Sequence, residues 1–451
     1  MEIQMNKKIN LAVASAALVL GASAANAGIV IPAGEWTLDV NGNVNVYAST
    51  HSADDANSIT GGLAVVKDVN GESDSQGINT GLLPAWLGFT GTTRQNDLDV
   101  SFTISMQPNV SDNGAAGDAK APLNRQAFIT FGDKSWGTVK LGKDLGIFAA
   151  DAILGDMTLL GVGAANASAN SGASTSLGGI GTGYIYPAWK GQVAYTTPNM
   201  NGFQATIGIT NPNGSGLGTA FQDQFGYEGK ASYDFAAGDA KGKVWVSGAA
   251  YDVTTSASST ASVAAVTRTY NSMTSFSASV SASLQAGVTE IIQTTVTTQV
   301  TISNAVASTS TASVSYDATV VDIGASVTLG NFGLTGYYYT GEGVGTTIFG
   351  ANGATVAGLE RDSDGGYVQA TFVIPTGTKL GASYGISNLD LATGEAASSL
   401  VEENERWTVG AYHPLTKHLN LVAEYNEVES KSHNDLKNES DSFSLGAILF
   451  F

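Results

Sequence analysis

The sequence predicts an all-β chain closed into a transmembrane antiparallel β-barrel. Three observations predict it. Apolar and polar residues alternate with period two along most of the chain, the alternating segments are about ten residues long, and the connections between them alternate short and long. Ten residues cross a bilayer when a strand is tilted. The composition agrees: 55 of 451 residues are Gly, none is Cys, and only 13% are charged, roughly half the usual soluble share. The length accommodates two or three ordinary domains or one large barrel. No run reaches the about 18 apolar residues that a membrane helix needs, and the absence of Cys removes disulfide frameworks and thiolate chemistry.

The first segment is read as a leader. Lys7 and Lys8 precede an apolar stretch, Ile9 to Leu20, and small residues end in Ala25-Asn26-Ala27, the layout of a secretory signal peptide over 1–27. The mature chain is then expected to begin at Gly28, and no Cys follows to make it a lipoprotein. Without Lys7, Lys8 and Glu2 the 20 basic and 39 acidic residues become 18 and 38, a net charge of −20. Such a balance makes nucleic acid an unsuitable partner.

The wall strands follow. In EWTLDVNGNVNVYAS, Trp36, Leu38, Val40, Val44 and Val46 oppose Thr37, Asp39, Asn41, Asn43 and Asn45. In DLDVSFTISMQ, Leu98, Val100, Phe102, Ile104 and Met106 oppose Asp97, Asp99, Ser101, Thr103 and Ser105. In FGYEGKASYDF, aromatic and small residues oppose Glu228, Lys230, Ser232 and Asp234, and Val321, Ile323, Ala325, Val327 and Leu329 run opposite Asp322. Sixteen strands are predicted, roughly at 35–49, 80–92, 97–107, 124–132, 136–143, 184–197, 202–211, 224–235, 242–253, 313–329, 331–340, 365–374, 378–387, 405–413, 418–428 and 441–451. A soluble sandwich also alternates, but its strands average about five or six residues and its turns do not sort by length. An even strand number with short periplasmic turns and long outer loops is the pattern of an outer-membrane barrel, because lipid offers an open sheet edge no partners.

Residues 254–312 strain the count. They are rich in Ser, Thr, Ala and Val, and SFSASVSASL and TVTTQVTI alternate. One reading is an outer loop folded above the membrane; the other adds a hairpin to the wall, giving eighteen strands. The last strand, SFSLGAILFF, aligns Phe443, Leu445, Ala447, Leu449 and Phe451 on a lipid-facing row. It is expected to pair with the first strand and so remove both edges. Ile448 and Phe450 then point inward, which the alternation leaves unexplained.

Several pieces together resemble the general porins of Gram-negative outer membranes. The most specific runs from NRQAFITFGDKSWGTVKLGKDLG into DAILGDM, and WLGFTG (86–91), VAYTTPNMNGFQATIGI (193–209) and the terminal Phe451 are similar to porin pieces. The resemblance covers most of the mature chain. It implies a homotrimer, a water-filled pore in each subunit for passive diffusion of ions and small hydrophilic solutes, and no cofactor. It also implies a third long loop, here 144–183, folded into the pore to constrict it, and outer-membrane lipid, lipopolysaccharide and the barrel-assembly machinery as partners, the last reading Phe451 as an assembly signal.

Carried over residue by residue, the resemblance matches Lys143 to a basic residue at the strand end, Arg125 to the arginine opening the preceding strand, and Asp151 and Asp156 to acids early in the loop. Asp144 opens that loop. Alternation adds Asp99, Glu228, Lys230 and Arg406 to the lumen, with Asp39, Asp234, Asp322, Glu424 and Lys379 on the same face. Val139, Leu141 and Lys143 share one face, so a regular strand points Lys140 inward, and Lys143 is expected to reach the lumen through a bulge at the rim. The chain departs from the family where Thr158-Leu159-Leu160-Gly161 replaces a Pro-acid-Phe tip, and where Trp86 and Trp189 stand at positions many porins give to wall arginines. Both departures predict a weaker transverse field.

Acids read as outer-loop residues are Asp54, Asp55, Asp68, Glu72, Asp74, Glu360, Asp362, Asp364, Glu402, Glu403 and Glu405. They predict weak cation selectivity. DVNGESD and RDSDGG only faintly resemble calcium loops, without full ligand sets, so no metal is expected. An enzyme is not expected either: His51, His413, His418 and His433 lie in or beside loops and turns, and there is no G-x-S-x-G. Two other functions remain open on the residues alone. One is a surface adhesin using 254–312; the other is a substrate-specific channel using an aromatic track such as Tyr337, Tyr338 and Tyr339.

Overall fold

The computed structural model describes residues 28–108, 123–164, 175–211, 220–221, 224–255, 258–259, 310–311 and 314–451. The leader at 1–27 lies outside the described residues. Sixteen strands form the wall: β1 (Trp36–Ala53), β2 (Trp86–Gln95), β3 (Leu98–Gln107), β4 (Leu123–Asp133), β5 (Gly137–Leu145), β6 (Trp189–Thr196), β7 (Phe203–Thr210), β8 (Gly226–Ala237), β9 (Ala240–Thr255), β10 (Ser315–Leu329), β11 (Phe332–Glu342), β12 (Asp362–Val373), β13 (Lys379–Leu389), β14 (Val401–Pro414), β15 (Leu419–Ser432) and β16 (Lys437–Phe450). Each pairs antiparallel with its neighbours, and β1 pairs with both β2 and β16, which closes the barrel. β9 pairs directly with β10 from Ala240↔Leu329 to Thr254↔Ser315, so no hairpin stands between them and the wall has sixteen strands, not eighteen. The segment 256–313 is a separate unit, of which Ser258–Ser259 paired with Ser310–Thr311 is described.

The seam is built from both chain ends. β16 runs alongside β1 from Ala53↔Ser440 to Asn43↔Phe450, and Phe451 then exchanges two backbone hydrogen bonds with Gly42, at 2.8 and 3.0 Å. Below that point Ile29–Ala33 takes over as β1's partner, from Ile29↔Val40 to Ala33↔Trp36. The awkward inward pair is explained here. Ile448 and Phe450 are buried, and Phe450 meets Trp86 edge-on at 6.3 Å between centroids, so the base of the lumen beside the seam is apolar.

Alternation sorts the faces as predicted. Val44, Val46, Ile104, Ile129, Ile207, Ile323, Val409 and Leu445 are exposed on the outside, where lipid covers them. The upper boundary of this band can be read across three strands, because Val409↔Tyr425↔Phe443 is the last apolar row before Glu427↔Asp441. Several acids read as loop residues in fact stand on outward positions of strands that overshoot the bilayer. Glu403, Glu429 and Glu439 pair there with Lys431 and Lys437 at 2.8–3.2 Å. Residues 429–440, left between the predicted strands 418–428 and 441–451, are consequently mostly strand, with a tight turn between β15 and β16. Likewise Glu405 lies within β14, and Asp362 and Asp364 within β12.

Two strand starts also differ from expectation. Residues 80–85 leave the wall because Asn43 and Asn45 hold the Pro84 and Leu83 carbonyls at 2.9 and 2.8 Å, and β2 begins after Pro84. Residues 184–188 turn into the lumen, where Tyr184 and Ile185 are fully buried, and β6 begins after Pro187, which has no N–H to give a ladder.

Ile323→Arg, within the lipid-facing row of β10, is expected to destabilise the barrel by about 2–4 kcal/mol. Lys431→Ala, in the exposed ladder above the bilayer, is expected to cost less than about 1 kcal/mol. Urea titrations of the barrel folded into vesicles compare the two.

Candidate functional site: a loop-filled lumen

Backbone amides that enter a lumen without forming sheet need other acceptors. The described residues of the segment 146–188, between β5 and β6, find them on inward side chains of the wall. Glu228 of β8 accepts from the Ile147 and Phe148 amides at 2.6 and 3.1 Å, from the Lys190 ammonium at 2.6 Å and from the Tyr251 hydroxyl. Gln369 of β12 accepts from the Met157 amide at 2.8 Å and donates to the Gly155 carbonyl at 2.7 Å. Glu424 of β15 accepts from the Val162 and Gly163 amides at 2.8 and 2.9 Å and from the Tyr412 hydroxyl at 2.7 Å. The Tyr47 hydroxyl donates to the Leu160 carbonyl at 2.5 Å. Gly161 lets the chain come this close, since a Cβ there would fall 2.0 Å from the Glu424 Oε1.

Apolar packing completes the attachment. Phe148, Ala152, Ile153, Leu159, Tyr184 and Ile185 form one buried cluster with Trp245, Tyr251, Tyr337, Tyr339 and Tyr367 of the wall. Tyr337 and Tyr339 are thus covered by the loop and Tyr338 faces outward, so the three tyrosines do not make a track along the passage. Parts of the segments 54–73 and 343–361, around Leu63-Ala64 and Val344–Phe349, also fold inward. The Leu63 and Ala64 amides bond to Ser430 at 2.8 and 3.0 Å, and Phe349 packs on Tyr251 with centroids 4.3 Å apart. The three inward segments meet at Gly181, whose φ is +76° and where a Cβ would meet Leu63 at 2.6 Å and Thr347 at 2.7 Å.

Along β2–β8 the described inward segments cover less of the wall, and several inward side chains are only part-buried. Hydroxyls pair across this face: Thr90 with Thr103 at 3.1 Å, Ser101 with Thr130 at 2.5 Å, and Thr196 with Thr206 at 2.9 Å, all part-buried. Lys140 projects among them, over the Phe128 ring at 5.0 Å, and pairs with Asp144. Asp144 also accepts from Gln126 at 3.0 Å. Asp151, on the short helix Ala150–Gly155, is held by Lys230 at 2.9 Å and by Lys243. Burial alone would raise the Asp151 pKa, but the two ammonium groups outweigh it and hold the carboxyl below its ordinary range. This pairing is therefore complete above that range and is lost only as the pH falls through the depressed value.

The remaining sequence-predicted residues fall elsewhere. Asp156 caps the turn Met157–Leu160 by accepting from the Thr158 amide at 2.8 Å, and it also accepts from Gly179 and Tyr184. Arg406 is 1% exposed and donates to Thr182 at 3.2 Å and to Thr408. Asp156, Glu228 and Arg406 therefore sit between loop and wall, not on the passage. Asp99 lies at the short-turn rim, bound at 2.8 Å by Arg94, which also holds Asp133 at 3.0 Å. Arg125 is half-buried on a β-bulge opposite Ser105 and Met106, where its charge acts on the Tyr186 phenol.

Lys143 corrects the sequence reading. β5 runs in unbroken register with β4 and β6, so no bulge turns Lys143 inward. It shares the outer face with Val139 and Leu141, and its ammonium bonds to the Asn124 carbonyl at 3.0 Å. Trp189 is also on the outer face, beside inward Lys190. Lys190 and Lys243 escaped the sequence reading, although Lys243 shares its alternation with Trp245 and Ser247. Among the described residues no three His, Asp or Glu side chains are grouped to hold a metal ion. Asp68 spends its oxygens on the Asn70 and Glu72 amides of its own turn, at 2.8 and 2.9 Å.

Glu424→Leu leaves two loop amides and a tyrosine hydroxyl without an acceptor, at an expected cost of about 3 kcal/mol. Hydrogen exchange should show protection lost at Val162 and Gly163 and retained in β15. Unchanged exchange at those two amides would contradict the anchoring role.

Comparison with known proteins agrees with this geometry. The family described as Gram-negative porin matches residues 14–433. No curated protein sequence matches the chain. Among solved structures, the outer-membrane channel DcaP of Acinetobacter baumannii is similar at a TM-score of 0.59 and 13% identity, over 94% of this chain and 100% of that one. OmpF of Salmonella typhi is similar at 0.53 and 14%, over 94% and 100%, and the trimer form of OmpT of Vibrio cholerae at 0.51 and 14%, over 92% and 99%. At such identities these likenesses speak for the fold alone. The match of the family to 420 of 451 residues does more: this chain belongs to the Gram-negative porins and is an outer-membrane channel protein.

Proposed function

We propose that the protein is a passive diffusion channel for ions and small hydrophilic solutes, weakly cation-preferring at its mouth. The observation that supports this reading is a closed barrel whose inward loop packs against β8–β12, across from a run of part-buried inward hydroxyls on β2–β7. The exposed acids Asp54, Asp68, Glu72 and Glu402 supply the cation preference, over a Debye length of about 10 Å at 0.1 M salt.

The trimer form of OmpT supports a homotrimer here. The apolar outer rows belong against outer-membrane lipid or a second subunit, and the charged ladder above them against lipopolysaccharide. The two backbone bonds between Phe451 and Gly42 support a role for Phe451 in assembly by the barrel-assembly machinery.

Purified protein in planar bilayers at 0.1 M KCl should give ohmic conductance steps and a reversal potential on the potassium side. No conductance would reject the channel, and a chloride-side potential would reject the acidic mouth as its filter. Deleting Phe451 should lower the yield of inserted barrel, read as the fraction that migrates as folded on unheated gels.

A further inference from the structure

The ion pairs bordering the passage share an asymmetry. In Lys140–Asp144 the side chains are 32% and 9% exposed, in Lys230–Asp151 25% and 6%, and in Lys243–Asp151 21% and 6%. Each pair shows its ammonium to the passage and keeps its carboxylate behind. Moreover, Lys230 and Lys243 converge on a single carboxylate, Asp151, and Asp234 stands opposite Lys243 on the neighbouring strand, so what this wall offers a solute is its exposed ammonium groups and not a net charge.

Strand register places hydroxyls between these cations. Thr138, Thr196, Thr206 and Lys230 occupy one row across β5–β8, and Lys140 is two residues above Thr138 on the same face. Three strand spacings of about 4.8 Å put Lys140 and Lys230 on opposite ends of an arc roughly 14 Å wide. Ammonium groups and hydroxyls are the donors an oxyanion takes up. In a partly desolvated passage such contacts are stronger than in bulk water.

We propose that Lys140, Thr196, Thr206, Lys230 and Lys243 form a binding strip for the oxyanion group of a passing solute, a carboxylate or a phosphate, inside a barrel whose mouth is acidic. The proposal rests on the channel reading. The two fields differ in reach. The mouth acids stand in open solvent and act through a Debye length that shrinks to about 3 Å at 1 M salt, whereas the strip touches the solute directly. Cation preference therefore belongs to dilute salt and fades, or inverts to chloride, in concentrated salt. An oxyanion solute crosses the mouth against the field and is then held at the strip.

Two measurements test the strip, with inorganic phosphate as probe. In bilayers, the potassium preference at 0.1 M KCl should fall or reverse at 1 M, and phosphate should reduce chloride current in a saturable way. Lys243→Gln keeps the Lys230–Asp151 pair, and should raise the half-effective phosphate concentration about tenfold, the worth of one charge-assisted hydrogen bond. Lys140→Gln should do likewise, and Lys431→Gln, outside the barrel, should not. Separately, phosphorus-31 line broadening in detergent micelles reads phosphate binding whether or not the protein conducts. Binding that weakens in Lys243→Gln and Lys140→Gln supports the strip even if conductance fails. Phosphate affinity equal in all four proteins, or no broadening at all, overturns it.

Discussion

Every part of this molecule answers to one constraint: a backbone amide removed from water must find an acceptor. In the wall the acceptor is the next strand, and sixteen strands suffice only if the first meets the last. The meeting is imperfect, because β1 extends seven residues below the end of β16, from Trp36 to Gly42. Ile29–Ala33 and Phe451 repair the deficit from opposite ends of the chain. The final stave is thus composite, and its lower part is laid by the residues nearest the start of the barrel.

The same constraint decides what happens inside. A loop that enters the lumen leaves the ladder, so its amides depend on side chains. Glu228, Gln369 and Glu424 meet them at successive points along the loop. Removing one acceptor costs more than the bond it makes, since the amide it served stays buried. This explains why the wall carries carboxylates in places where a passing solute cannot reach them. Glu228 and Glu424 serve the position of the loop, and the loop in turn decides which part of the circumference remains open.

The wall was legible because alternation is a local signal that each strand carries independently. Val321, Ile323 and Val327 announce an outer face without reference to any neighbour. Boundaries were less legible where charge misled: Glu403, Glu429 and Glu439 look like loop residues but are strand positions above the bilayer. Inside the lumen, alternation tells that Glu228, Lys230 and Arg406 point inward but not whether a loop covers them. That depends on complementarity between segments far apart in sequence, such as Gln369 with Met157 or Glu424 with Gly163. Lys143 shows the opposite error. Resemblance placed it on the passage, while its own parity with Val139 and Leu141 placed it outside, and the unbroken register of β5 sides with parity.

Charge in this protein is arranged by depth more than by amount. A net charge of −19 suggests an acidic passage, yet the acids inside are the better-buried partners of their pairs, and the cations stand in front. Geometry makes this natural. A carboxylate on a short side chain stays close to the backbone it serves, whereas lysine carries its charge on a flexible four-carbon stem and reaches open space. Where Asp151 docks the loop helix on the wall, Lys230 and Lys243, which neutralise it, are the groups left half-exposed toward the lumen. Which charges stand exposed in these pairs is therefore a consequence of how the loop is held, and it runs against the composition of the chain.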